Sequence, residues 1–71
     1  MEKIVISTAH ITLGQVLKEI GAIDTGGMAK WYLAEHSVYV NGEKEQRRGK
    51  KLVRGDQILL EDGTQIEIAT D

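Results

Sequence analysis

Residues 25–55 read TGGMAKWYLAEHSVYVNGEKEQRRGKKLVRG, and the turn and strand signals inside this stretch decide the fold. Val38–Val40 alternates as a short strand does. Asn41-Gly42 follows it, a two-residue hairpin signal in which both residues accept positive φ. The stretch also holds seven of the nine lysines and arginines of a chain whose net charge is −2. Its own balance is +4 and that of the remainder is −6, so the segregation predicts a surface that meets a polyanion.

Length and composition bound the class of protein. At 71 residues the chain has room for one domain, over 1–71, which buries only about 60% of the surface of the unfolded chain. The absence of cysteine excludes disulfides and thiolate metal sites and fits a reducing compartment. No apolar run approaches the roughly 18–20 residues of a membrane span, and no signal-peptide layout opens the chain. We therefore expect a cytoplasmic monomer with no membrane partner.

Capping and periodicity signals predict two helices. Thr12-Leu13-Gly14-Gln15 is a capping box, and apolar residues recur after it at helical spacing until Gly21, which suits a helix end. A second helix is expected from Thr25 to about His36. Its buried arc on a helical wheel contains Met28, Ala29, Tyr32, Leu33 and His36. Lys30 lies opposite this arc and Trp31 lies at its edge, so both are expected to be at least partly accessible.

The remaining segments alternate as strands. Residues 2–7, 57–61 and 64–68 each place isoleucines or leucines on one face, and glycine turns precede the last two. The segment Glu43–Lys51 is polar and highly charged, and we expect it to form an irregular arm rather than a buried strand. The fold class that follows is α+β, with a two-helix hairpin packed on a small antiparallel or mixed sheet.

Two features of residues 25–55 are suited to phosphate. At the predicted helix start Thr25-Gly26-Gly27, the first-turn amides are free and no side chain of the two glycines covers them. An ordinary helix cap with a tight turn would have the same sequence. Lys30, one turn further on, would extend that anion site. The arm and the residues after it supply five cations within eight residues: Arg47, Arg48, Lys50, Lys51 and Arg54. The like charges of this cluster repel one another unless a counter-charge binds to them. The planar arginine side chain matches the oxygens of a phosphate group. The polyanion we expect is RNA.

The aromatic residues leave two readings open. Trp31 is the single tryptophan and the chain has no phenylalanine. An exposed Trp31 would offer a stacking platform to an unpaired base, whereas a packed one would cover the edge of a thin core. Tyr39 points away from the face of Val38 and Val40 and is a second, weaker candidate for stacking.

Enzymatic chemistry is not indicated. His10 and His36 are far apart in the sequence, no paired metal-ligand spacing occurs, and the glycines do not fit a nucleotide-binding loop. We expect no catalytic residue, no metal and no cofactor. The rival interpretation is a protein-interaction adaptor, whose basic arm docks on an acidic partner while the Trp31 side forms the apolar centre of the interface.

The order of these signals resembles the RNA-binding domain first defined in ribosomal protein S-four, which has the alpha-L RNA-binding motif. The resembling residues, roughly 11–61, are Thr25-x-x-x-Ala29-Lys30, Leu33, Val38–Gly42, the basic arm and Lys51-Leu52-x-x-Gly55-Asp56-Gln57-Ile58. The TGGMAKWYL and RRGKKL segments look most like the small single-domain bacterial proteins called YaaA-like. The resemblance implies a non-catalytic protein that binds structured RNA, such as rRNA or a ribosomal particle.

The resemblance also implies particular contacts. The implied RNA-binding residues are Thr25, Lys30, Asn41, Gly42, Arg47, Arg48, Lys50 and Lys51. Residue chemistry alone adds Gly26, Gly27, Trp31 and Arg54. Many family members have an arginine where this chain has Gly26, which removes one expected phosphate contact. Many also have a glycine before the Val-x-Val strand, where this chain has Glu35-His36-Ser37, so the end of the second helix is less strictly specified.

Overall fold

The structure is a computed structural model that describes residues 1–71. Two helices pack on one face of a five-stranded mixed sheet, and a two-stranded ribbon lies beside them, which confirms the α+β class. The elements are β1 Glu2–Ile6, β2 Ile11–Thr12, α1 Leu13–Glu19, a 3₁₀ turn Gly26–Met28, α2 Ala29–Glu35, β3 Val38–Val40, β4 Glu43–Lys44, β5 Lys51–Leu52, β6 Gln57–Leu60 and β7 Gln65–Thr70. Neither helix has the length and apolar character that a membrane crossing needs.

The main sheet has the strand order β1-β7-β6-β3-β4. Its pairs are antiparallel except for β1 and β7, which run parallel with Ile4 opposite Ile68. Alternate residues of the strands face the helices and complete one core with the apolar stripes of α1 and α2. The largest fully buried side chains are Leu13, Leu17, Leu33, Leu52, Ile58, Ile66, Ile68, Val16 and Val38. The opposite face of the sheet carries no helix.

The first helix begins and ends where its sequence signals predict. The Gln15 amide donates to Thr12 Oγ1 over 3.3 Å, and the Thr12 amide donates to Gln15 Oε1 over 3.0 Å, which completes the capping box. Gly21 follows the helix with a φ of +81°, in the left-handed region that a glycine tolerates. The chain then folds back, so that Ile23 is buried against the core.

The second helix differs from its prediction at its start. Residues Gly26–Met28 form a 3₁₀ turn, and the Thr25 side chain makes no capping hydrogen bond. A 3₁₀ turn rotates 120° per residue rather than 100°, which carries Met28 off the buried arc and leaves it 43% exposed. Placing Met28 in the core was therefore wrong. The arc proper begins at Ala29 and contains the buried Leu33.

The segment after the hairpin is less irregular than its composition predicts. Glu43–Lys44 pairs with β3, because an Asn-Gly turn places the next two residues opposite the strand before it. Lys51–Leu52 pairs with β2, and its Leu52 is fully buried in the core. Treating the whole of residues 43–51 as irregular was therefore wrong at both ends. The segment Glu45–Lys50 between these two strands is called the basic arm below.

The Asn41-Gly42 hairpin is locked to the turn before β6. Asn41 and Gly42 have φ of 52° and 87°, as a two-residue hairpin turn of this kind requires. The Asn41 side chain donates from Nδ2 to Asp56 Oδ1 over 3.0 Å, and its Oδ1 accepts from the Gln57 amide over 3.0 Å. Asp56 Oδ2 in turn accepts from the Val53 amide over 2.8 Å. The two turn signals, fifteen residues apart in the sequence, are thus one hydrogen-bonded unit.

We predict that Asp56→Ala destabilises the protein by about 1.5–3 kcal/mol, because it removes the charged acceptor of two hydrogen bonds. Asp24→Ala, at an exposed aspartate in the loop between the helices, is the matched control and should change the stability by less than about 0.5 kcal/mol. Urea unfolding followed by circular dichroism measures both. Equal stability of the two variants would show that the Asn41–Asp56 unit does not hold the turns together.

Candidate nucleic-acid interface

The basic arm lies across the start of α1 and is held there through its backbone. The Leu13 amide donates to the Lys50 carbonyl and the Gly14 amide donates to the Arg48 carbonyl, each over 2.9 Å. The first amides of a helix have no partner within the helix, and the arm supplies partners for two of them. The arm is therefore an ordered part of the fold.

Gly14 is the point where the arm and the second helix both approach α1. A Cβ at this residue would stand 3.4 Å from the Arg48 carbonyl oxygen and 3.5 Å from Ala29 Cβ. Both distances are ordinary van der Waals contacts, so a methyl group fits. A longer side chain would extend into the narrow space between the arm and α2 and press on one of them. Position 14 therefore fixes how closely the two approach each other.

A groove lined by polar residues and glycines opens between α1 and the arm. It has a volume of about 360 Å³, and no hydrophobic residue lines it. The lining residues are Thr12, Gly14, Gln15, Lys18, Gly26, Arg48 and Gly49. Two of them, Lys18 and Arg48, are cations and none is a carboxylate, although acidic residues outnumber basic ones in the chain. We call this feature the α1–arm groove.

The groove unites two of the predicted features and adds a residue that the sequence interpretation missed. Arg48 comes from the arm and Gly26 from the turn before α2, so both predicted phosphate elements border it. Lys18 was not among the predicted site residues. Its position in the helix held a signal, because Lys18 follows Gly14 by one turn and therefore lies on the same side of α1.

Arg47 is occupied within the arm. Its Nε donates to Glu45 Oε2 over 3.0 Å, and its Nη2 donates to Glu45 Oε1 over 3.0 Å. These bonds from Arg47, with help from its amide and that of Gln46, lower the pKa of the Glu45 carboxyl to about 2. A phosphate that approaches the Arg47 fork would have to compete with a carboxylate. Arg47 is thus a weaker candidate for RNA contact than Arg48.

A second concavity lies between the arm and the β3–β4 hairpin. Its volume is about 300 Å³, and both signs of charge line it. The cations are Lys44, Arg47, Lys50 and Lys51, and the carboxylates are Glu43, Glu45 and Asp56. Because the charges are nearly balanced, this concavity is a poorer site for an isolated phosphate than the α1–arm groove.

The remaining predicted residues lie outside the α1–arm groove. Lys30 and Trp31 project from α2, and Trp31 is 69% exposed, so it does not cover the core. Gly27 and Arg54 are exposed, but neither lines the groove. Asn41 and Gly42 build the hairpin, and both polar atoms of the Asn41 amide are bonded inside the protein. Thr25 precedes the 3₁₀ turn that leads into α2, and its side chain makes no capping hydrogen bond.

The chain is thus a small α+β domain with a basic arm laid on its first helix. The model of the S4 domain matches residues 4–69, and the chain belongs to that family. The probable ribosome maturation protein RlbA of Bacillus subtilis (strain 168) is 55% identical to this chain over 56 residues. The matched residues make up 79% of this chain and 79% of that relative.

Substitutions at Gly14 test how closely the arm and α2 approach α1. We predict that Gly14→Ala leaves the free energy of unfolding unchanged or raises it by up to about 1 kcal/mol, since alanine is the better helix former. Gly14→Leu should lower it by roughly 1–3 kcal/mol and speed hydrogen exchange at the Leu13 amide, as the arm is displaced. If Gly14→Leu has the same free energy of unfolding as the wild type and the same exchange rate at the Leu13 amide, the arm and α2 do not approach Gly14 closely.

The Glu45–Arg47 pair predicts a pH dependence with a definite sign. The Glu45 pKa lies below its ordinary value of 4.5, so the pair stabilises the fold above that pH and is lost as the pH falls toward 2. Titration of the Glu45 carboxyl by NMR should give a pKa of about 2. Arg47→Ala should raise it toward 4.5, and Arg54→Ala, the control, should leave it unchanged. A wild-type value near 4.5 would show that the pair does not form in solution.

Proposed function

We propose that this chain is a non-catalytic RNA-binding protein that recognises structured RNA, either rRNA or a ribosomal particle, in the bacterial cytoplasm. The observation that carries the proposal is the α1–arm groove, which two cations and no carboxylate line in a chain of net charge −2. Membership of the S4 domain family and similarity to a probable ribosome maturation protein of Bacillus subtilis support the link to ribosomes.

The groove would act through side-chain charge. The amides of Leu13 and Gly14 are already bonded to the arm, and Thr12 caps the Gln15 amide, so the start of α1 has no free donor among these three groups. Lys18 and Arg48 approach the same space from different elements. A phosphate between them would be neutralised from two sides, and the arginine fork could hold two of its oxygens.

Further cations around the groove would track the rest of an RNA backbone. Lys30, Lys50 and Lys51 form no ion pair within the protein; Lys30 lies on α2, and Lys50 and Lys51 line the concavity on the hairpin side of the arm. With Lys18 and Arg48 they make about five phosphate contacts, which predicts a slope of log affinity against log salt of roughly −3.5 to −4.5. Trp31 would add stacking on an unpaired base. Recognition of this kind positions a protein by RNA shape more than by sequence.

The adaptor alternative draws on one observation. Met28 ends the 3₁₀ turn, Trp31 lies three residues later in the first turn of α2, and both side chains are exposed. Together they could form the apolar centre of a protein interface. Pull-down from a lysate with and without ribonuclease separates the two functions, because a partner retained after digestion favours the adaptor and a partner lost with the RNA favours RNA binding.

We predict that Lys18→Ala and Arg48→Ala each weaken binding to an RNA hairpin roughly tenfold, equivalent to about 1.4 kcal/mol. Each should also make the salt slope shallower by about 0.7–0.9, because one phosphate contact is lost. Lys3→Ala is the control, since it removes the same charge from β1, away from the groove. Fluorescence anisotropy over a range of salt concentrations measures both quantities. An equal loss in all three variants would reduce the effect to net charge, and salt-independent binding would contradict the proposal.

A further inference from the structure

The face of the main sheet that the helices leave uncovered carries a continuous row of side chains. The strand register places Lys44 opposite Tyr39, Tyr39 opposite Leu59, and Leu59 opposite Gln65. Met1 stands beside this row and is 65% exposed, while Leu59 is 40% exposed. A shallow concavity of about 360 Å³ covers this region. The row is separate from the α1–arm groove, with which it shares no residue.

The composition of the row matches the chemistry of a nucleobase. Tyr39, Leu59 and Met1 supply an aromatic and apolar lining, and aromatic rings stack on any unpaired base. Gln57 and Gln65 line the same concavity, and neither side-chain amide forms a hydrogen bond within the protein. An amide both donates and accepts, so it can pair with the edge of a base. The volume falls within the range of roughly 300–1,000 Å³ for small-ligand sites.

Charge connects this row to the basic arm. Lys44 lies at one end of the row and also lines the concavity that contains Lys50 and Lys51. It forms no ion pair in the structure, although its charge contributes to lowering the pKa of Glu61, after the larger effects of the His36 and Ser37 hydrogen bonds. A nucleotide stacked on Tyr39 could therefore place its phosphate near Lys44. The RNA backbone could continue from there toward Lys50 and Lys51.

A protein partner fits this face less well. Gln57 and Gln65 interrupt the apolar side chains of this face. In the next row across the sheet, the strand register places the charged residues Lys3 and Glu67 opposite each other. The apolar surface is therefore broken into small pieces, whereas protein interfaces centre on a continuous apolar patch.

We propose that the row Lys44-Tyr39-Leu59-Gln65 is a second RNA-contact site, which binds one unpaired nucleotide by stacking its base on Tyr39. This inference rests on the proposed function, since it assigns a further part of the same RNA. It adds selectivity for an unpaired segment next to the structured region that the arm holds.

The test compares two RNAs on the full-length protein. One is a blunt RNA duplex, and the other is the same duplex with a 3′ extension of five uridines, one of them 4-thiouridine. The wild-type protein should bind the extended RNA roughly five- to hundredfold more tightly than the blunt one. Tyr39→Leu should abolish that preference and leave binding of the blunt duplex unchanged, whereas Tyr39→Phe, the control, should retain it.

Photocrosslinking of the 4-thiouridine RNA to the wild-type protein provides a readout that needs no variant. Mass spectrometry should place the crosslink on β3 or β6. Crosslinks confined to the arm or to Trp31, or a preference that survives in Tyr39→Leu, would overturn the inference. A wild-type dimer that Leu59→Lys dissociates would also overturn it, because a second copy would then occupy the face.

The two proposals fail in different ways. If the wild-type protein binds neither RNA, the proposed function fails and this inference fails with it. If it binds the blunt and extended RNAs equally, with the expected dependence on salt, only the second site is disproved.

Discussion

The two hydrogen bonds from the Leu13 and Gly14 amides to the carbonyls of the basic arm are the constraint on which the candidate site depends. Repulsion between like charges favours an extended segment, and the basic arm is flanked only by the two-residue strands β4 and β5. The helix start supplies donors that would otherwise lack partners, and the arm supplies the acceptors. One interaction thereby satisfies the helix and brings Arg48 into the groove that Lys18 lines.

The same interaction determines how the site can attract an anion. Helix starts bind phosphate through free amides, but here the arm occupies two of them and Thr12 caps a third. An anion in the candidate site would therefore be attracted by side-chain cations, and Lys18 and Arg48 are the two that line the groove. At the other end of the arm, the Asn41–Asp56 unit ties the hairpin to the turn before β6 and fixes the position from which the arm departs.

The features that the sequence predicts well are those set by near neighbours. The capping box at Thr12 and the positive φ of Asn41 and Gly42 follow from a few adjacent residues, and the structure confirms them. Met28 was misplaced because the helix start adopts 3₁₀ geometry. That choice depends on how the connection between the helices packs, which periodicity cannot show.

The candidate site was only partly predictable for a similar reason. Local composition identifies the arm as basic, and Arg48 indeed lines the groove. It does not show that Glu45 holds Arg47, because a count of charges does not reveal their partners. Lys18 was overlooked because it lies outside the basic segment and joins the site only through the fold. The amphipathic wheel indicated exposure of Trp31, whose full extent the structure supplies.

An NMR titration of the ¹⁵N-labelled protein with an RNA hairpin tests the central claim most directly. If the α1–arm groove is the RNA-binding site, the amide signals of Gly14, Lys18, Arg48 and Gly49 should shift together and saturate with RNA concentration. The signals of β1, on the far edge of the sheet, should stay in place. Shifts centred on β1 or on the C-terminal end of α2 at Glu35, with the groove signals unmoved, would contradict the assignment of the groove as the site.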